Sequence, residues 1–258
     1  MLLKRLLKYR DLLLVFIWRE FLIRYRQSFI GVLWAILQPL SMMLLFVFVF
    51  GVILQMKGKG YPYPLFFFAG ILPWTFFAGS TNHAVNCLVA HFNLITKIYF
   101  PREIIPLSGV AINFIDYLIG FAVYLVLIMI YGTPVTWNFL WVIPLVIILV
   151  VFTTSFGYLL AALNVYYRDV KLASNFIIQF LFFATPVIYS IDQVQTRWKL
   201  ILFLNPLTFI VENMRRVTIE GRSVVWWQFL VEAILVGVFY WLVCKIFIRI
   251  ERAFADVI

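Results

Sequence analysis

The chain has 258 residues, 65% of them hydrophobic and 12% charged, with a formal net charge of +10. Soluble domains carry roughly 25% charged residues and under half apolar ones, so the composition excludes a soluble globular domain and makes the bilayer the solvent. Spanning elements must then be helices or a closed barrel, and long continuous apolar runs in place of roughly ten-residue alternation predict an all-α polytopic membrane protein.

Residues 1–30 form the first unit. They predict an amphipathic helix at the cytosolic membrane surface. At 100° per residue, Lys4, Lys8, Asp11, Arg19 and Arg26 share one side, and Leu3, Leu7, Leu14, Phe21 and Tyr25 another. No small-residue cleavage site follows a short apolar stretch, so this is not read as a cleaved signal peptide. The net charge comes largely from this segment and suits anionic headgroups. No basic soluble region is there to hold nucleic acid.

Residues 31–258 form the second unit, a transmembrane domain of six predicted crossings. Gln27 to Met56 holds no charge, room for one span of about twenty residues over Gly31 to Leu54. Pro64 to Ala84 is the second and Ile104 to Tyr131 the third, interrupted only by Asp116. "GTP" at Gly132 to Pro134 is a turn signal. Trp137 to Asn164 is the fourth, ended by "YYRDVK". Leu172 to Ser190 is the fifth, and Val224 to Cys244, containing Glu232, the sixth. The connection Ile191 to Ser223 is too charged for a full crossing. Its apolar stretch "WKLILFLNPLTFIVENM" predicts two short helices that dip into the membrane against the bundle, the second starting at Asn205-Pro206.

Six crossings put both termini on one side. The segments on that side hold fourteen Lys and Arg, against seven on the other, so the termini are expected in the cytoplasm. Cys87 and Cys244 are too few and too distant for a disulfide framework. Both fall at predicted cytoplasmic ends, where thiols stay reduced.

Little in the chain supports chemistry of its own. "KGKG" at Lys57 to Gly60 lacks the spacing and the Ser/Thr of a phosphate loop. His83 and His91 have no Cys, Asp or Glu cluster around them, so no metal is expected. An ionised Asp116 at mid-crossing costs about 2.5 to 3.5 kcal/mol on insertion scales and must face a partner or water. Glu232, nearer the outer end of its helix, is expected to reach the interface. From the residues alone, a proton-coupled secondary carrier using Asp116 and a membrane glycosyl or acyl transferase stay open.

One stretch is specific. Arg24, Tyr25, Arg26, Ser28, Gly31, Leu33, Trp34 and Pro39 reproduce R-Y-R/K-x-S-x-x-G-x-L-W-x-x-x-x-P. "ALNVYYRDV" (Ala162 to Val170), "TPVIYS" (Thr185 to Ser190) and "NPLTFIVENMRR…EG" (Asn205 to Gly221) follow in order. In these features the chain resembles the membrane subunits of ATP-binding-cassette exporters of polysaccharides: the O-antigen, capsule and teichoic acid permeases. A drug or small-lipid exporter of the same superfamily is the nearest alternative.

The resemblance implies a homodimer in the bacterial inner membrane with two separate nucleotide-binding subunits beneath it. ATP and magnesium would sit on those subunits, this chain binding no cofactor and catalysing nothing. The cargo would be a lipid-linked polysaccharide. The connection Cys87 to Glu103 would dock on the ATPase through Phe92, Lys97, Tyr99, Phe100, Pro101, Arg102 and Glu103, with Arg19 and Glu20 beside it. Arginine suits bidentate phosphate contact, which would let Arg24 and Arg26 receive the lipid diphosphate. The first and fifth crossings would form the pore and dimer seam. Phe176, Phe180 and Phe183 at i, i+4, i+7, with Phe46, Phe50 and Tyr189, would line the channel for a sliding sugar chain.

Overall fold

The structure is a computed structural model that describes residues 5, 8–26, 30–55, 60–98 and 100–251. Among them are ten α-helices and no strand: α1 (Arg10–Tyr25), α2 (Trp34–Phe46), α3 (Tyr63–Ala90), α4 (Phe92–Lys97), α5 (Ile104–Ile130), α6 (Val142–Tyr166), α7 (Asp169–Ala184), α8 (Thr196–Leu202), α9 (Pro206–Thr218) and α10 (Trp226–Ile250). A 3-10 turn over Gly31–Leu33 leads into α2, and a wide π turn over Val47–Ile53 prolongs it. Among the described residues, five helical stretches are long and apolar enough to cross a membrane: Gly31–Ile53, Tyr63–Ala90, Ile104–Ile130, Trp137–Tyr166 and Trp226–Ile250. The protein is therefore a multi-pass membrane protein.

α3 is the axis. Leu65 through Leu72 are all buried, as expected of a helix that is apolar on every side. It packs most extensively on α5 and α6, with α2, α7 and α9 around it; α10 covers the far side of α6. Gly70 lets this helix approach its neighbours, since a Cβ there would lie 2.7 Å from the Arg215 guanidinium and 3.3 Å from the Val187 backbone.

The bundle has two ends. Tyr63, Trp141 and Trp226 open α3, α6 and α10 near one end, where the Trp141 and Trp226 rings meet edge to face at 4.6 Å. Ala90, Ile104 and Tyr166 mark the other. α7 runs from the Ala90 end to the Tyr63 end, where the Tyr63 hydroxyl donates to the Ile188 carbonyl at 3.0 Å. It has 16 residues, about 24 Å of helix, and stops at Ala184, short of the predicted Ser190. Residues 185–189 finish the passage as a turn.

Helix ends differ from expectation elsewhere. α3 runs to Ala90, six residues past the predicted Ala84, so Cys87 belongs to the helix and the connecting segment is 91–103. α10 runs to Ile250 and takes Lys245 and Arg249 into the helix. Such overruns arise because an apolar-run reading stops at polar residues such as Asn82, His83 and Asn86 or at a charge such as Lys245, whereas a helix continues while its backbone bonds are made. Gly132 adopts φ 64°, the conformation its turn requires. Asn205 caps α9 by accepting from the Leu207 N–H at 3.1 Å, with Pro206 in the first turn, as the Asn-Pro pair predicts.

Leu14, on the predicted apolar side of α1, is exposed together with Trp18, while Phe16 and Tyr25 are buried. The helix lies along α5, so its inward face is set by a neighbouring helix rather than by the charge pattern. Leu3, Leu7 and Lys4 lie outside the described residues. Glu232 does not reach the surface; it is 6% exposed within α10, and its Oε1 has no hydrogen-bond partner among the described residues.

Candidate functional site

Phe16, Glu20 and Arg24 recur every fourth residue on α1, a single stripe, and each meets a different level of the bundle. Phe16 packs on Phe100 at 5.9 Å between ring centres, with His91 edge-on at 6.3 Å. One turn later, the Glu20 carboxylate accepts from His83 Nε2 at 3.2 Å; an ionised carboxylate only accepts, so Nε2 carries the proton. That bond, opposed by burial, holds the Glu20 carboxyl below the usual carboxylate range. Gly109 makes room for the imidazole, because a Cβ there would overlap its ring.

The third level is the most polar. Arg24 Nη1 pairs with Asp116 Oδ2, and the Tyr25 hydroxyl donates to Asp116 Oδ1. Both terminal nitrogens of Arg24 reach Asn113 Oδ1 at 3.3 Å. Burial, then the Asp116 contact, pushes the Tyr25 phenol up to about 12. The acid in the third crossing thus has the partner its cost demands. Beside it is a cavity of about 480 Å³ walled by α2, α3, α5 and the end of α1.

The 91–103 connection divides into outward and inward residues. Asn93, Thr96, Lys97 and Ile98 are exposed, as is Arg19 on α1; Phe92 and Arg102 are half-buried. Phe100, Pro101 and Glu103 turn into the protein. As contacts for a partner these three are corrected: they support the connection from behind. Phe100 belongs to an inner apolar cluster with Phe16, Ile95 and Phe247. Burial pushes the Glu103 carboxyl up. Arg102 donates to the Glu251 backbone carbonyl, and the Glu251 side chain accepts from Arg5 at 2.9 Å. Arg5 and Glu251 are thereby tied to this connection. Tyr99 lies outside the described residues.

The aromatics also divide. Phe176, Phe180 and Phe183 are 64 to 70% exposed on one stripe of α7. Phe46 instead stacks inward on Phe50 at 5.5 Å and Phe67 at 4.7 Å. The Tyr189 hydroxyl donates to the Phe183 carbonyl at 3.0 Å, closing the end of α7. Glu20 and Arg24 meet His83 and Asp116 in the structure; Arg26 is exposed nearby.

Arg215 is the residue sequence reasoning missed. It is 2% exposed on α9. Its guanidinium donates to the carbonyls of Phe66 (3.1 Å), Pro186 (2.6 Å), Val187 (2.6 Å) and Tyr189 (3.4 Å), and to Glu212 at 3.0 Å. It also lies over the Phe66 ring at 3.6 Å. One side chain fastens the turn after α7 to α3 and α9. The available signal was an arginine in an apolar stretch, with an acid three residues before it.

Comparison with known proteins places the chain among transporters. Residues 11–219 match the family described as ABC-2 type transporter. Over 223 residues the chain is 34% identical to the O-antigen export system permease protein RfbA of Myxococcus xanthus, covering 86% of this chain and 85% of that one. It is 30% identical over 212 residues to the protein of the same description from Klebsiella pneumoniae, covering 82% and 81%. It is 23% identical over 208 residues to the polysialic acid transport protein KpsM of Escherichia coli, covering 79% of each.

Proposed function

This chain belongs to the ABC-2 type transporter family, and on that premise we propose that it is the permease subunit of an ATP-driven exporter of lipid-linked polysaccharide. The observation that carries the reading is the likeness, over nearly the full length of both chains, to relatives whose names specify O-antigen export and polysialic acid transport. The permease forms the path, and hydrolysis of ATP with its magnesium occurs on a separate subunit.

Two copies of the chain pair with two ATPase subunits in the inner membrane, both termini in the cytoplasm. The Ala90 end faces the cytoplasm; Lys97, Arg102, Arg168, Lys171, Lys245 and Arg249 cluster toward it, in keeping with the positive-inside rule. α7 with residues 185–189 makes the fifth of six crossings, since it carries the chain from one end of the bundle to the other. α8 and α9 form the re-entrant outer element; burial of α9 against α3 and α6 supports this, because backbone at that depth needs protein cover. The ATPase docks on the outward residues Lys97 and Ile98, with Phe92, Arg19 and the half-buried Arg102 at the edge. The exposed Phe176, Phe180 and Phe183 stripe faces the channel. Sugar chains slide over such rings by packing C–H faces on them. Arg26, exposed beside the first crossing, receives the lipid diphosphate.

The experiment is purification of the full chain from its native membrane, followed by reconstitution. A co-purifying ATPase whose turnover rises with a polyprenyl-diphosphate-linked glycan supports the reading. A chain that moves its cargo alone on a proton gradient, with no nucleotide-hydrolysing companion, overturns it.

A further inference from the structure

Taking the polysaccharide-export reading as given, we infer that the cavity beside Arg24 is a pocket for a neutral sugar unit of the substrate, and that it does not hold the diphosphate. Its charge is the first reason. Among the described residues the lining holds one cation, Arg24, and one anion, Asp116, which are paired to each other. Both Arg24 terminal nitrogens also reach Asn113. A diphosphate entering here would confront the Asp116 carboxylate and find the guanidinium already engaged. An uncharged polyol meets no such repulsion.

The polar atoms on the walls fit hydroxyl groups. Tyr117 is on the cavity wall, and its Oη is buried with no hydrogen-bond partner among the described residues. A turn of the phenol ring toward the cavity would let that hydroxyl pair with a ligand hydroxyl. Pro39 has no N–H to give the carbonyl of Ala35 one turn earlier, and both residues are on the wall. Gln38 is exposed beside them and both donates and accepts. Sugar hydroxyls also do both, whereas phosphate oxygens only accept and would leave the Ala35 carbonyl without a donor.

Shape and surroundings agree. The indole of Trp34, 49% exposed, supplies a flat apolar face on the same wall, suited to the C–H face of a pyranose. A volume of about 480 Å³ lies within the roughly 300 to 1,000 Å³ of small-ligand sites. Arg26, two residues past Arg24, is exposed and remains for the diphosphate. The pocket thus reads the first sugar while the neighbouring arginine holds its phosphates.

The test uses the complete transporter with its ATPase in nanodiscs. Two probes are titrated by native mass spectrometry: a short polyprenyl diphosphate carrying one hexose, and the same lipid diphosphate without sugar. The hexose is expected to tighten binding about tenfold, equivalent to about 1.4 kcal/mol. Tyr117→Phe, which removes one oxygen, and Gln38→Leu, at an exposed position, should each shrink that advantage to about threefold or less while leaving the sugar-free probe within about twofold, the loss of one neutral hydrogen bond. Asp116→Asn should tighten the sugar-free probe, because it unmasks Arg24. Equal binding of the two probes to the wild type, or a sugar advantage untouched by both Tyr117→Phe and Gln38→Leu, overturns the sugar pocket and leaves the export reading standing. Failure of the wild type to bind either lipid diphosphate overturns both.

Discussion

Replacing Arg215 tests the fold at its most constrained point. Arg215→Met keeps roughly the side-chain length and removes every donor. The substitution strips a nitrogen partner from the carbonyls of Phe66, Pro186, Val187 and Tyr189, and leaves the Glu212 carboxylate, 10% exposed, without its arginine. Breaking a buried pair by removing one partner costs about 3 to 5 kcal/mol, because the remaining charge stays desolvated. At about 2 to 4 °C per kcal/mol for a chain of this size, the midpoint should fall by about 6 to 20 °C. The assay is thermal unfolding of the detergent-solubilised protein, followed by size-exclusion fluorescence. Glu212→Leu combined with Arg215→Met should recover part of the loss, since the buried charge is then gone. A midpoint for Arg215→Met within about 2 °C of wild type, under 1 kcal/mol on that scale, would refute the clamp, as would a double variant no better than the single one. Hydrogen exchange supplies a second reading: residues 185–189 should lose protection first.

Gly109→Ala places a methyl on the His83 ring and should cost about 1 to 3 kcal/mol by overpacking, read as a lower midpoint in the same assay. Glu20 gives a pH signature. Its folded-state carboxyl is depressed by the His83 hydrogen bond, so its contribution is present above the ordinary carboxylate range and is lost as pH falls through the folded value. Glu20→Gln should therefore narrow the stability difference between pH 6 and pH 3 (values about one to two units either side of a carboxylate pKa); an unchanged pH profile would remove Glu20 from the account. Ile98→Asp, at a side chain 56% exposed, should leave the midpoint within about 0.5 kcal/mol of wild type, as surface changes do, while weakening ATPase association about tenfold or more, the loss seen at an apolar interface anchor. Intact association in a pull-down would move the docking face elsewhere.

Part of this protein is legible in the linear chain. Uncharged runs too long for a soluble core dictate helices in lipid, and five of the six predicted crossings begin within two residues of a helical span. Asn205-Pro206 and Gly132 mark a cap and a turn by their own chemistry. The spacing from Arg24 to Pro39 carries the family likeness. Arg24 and Glu20 drew notice as charges near a crossing, but their partners did not, because Asp116 and His83 lie on other helices, 92 and 63 residues away.

Tertiary structure decided which side of each helix faces protein. In water, an apolar face points inward, so periodicity gives orientation. In a bilayer, lipid tails are as apolar as leucine, and the same residue serves at the core or at the lipid surface. Phe100 and Phe176 are alike in sequence terms, yet one is 6% and the other 70% exposed. Leu14 and Phe16, two residues apart on α1, divide in the same way, 62% and 5% exposed. Only packing, through pairings such as Arg24 with Asp116 and Arg215 with the turn after α7, fixes these choices, since a buried charge has few places where its hydrogen bonds can be met.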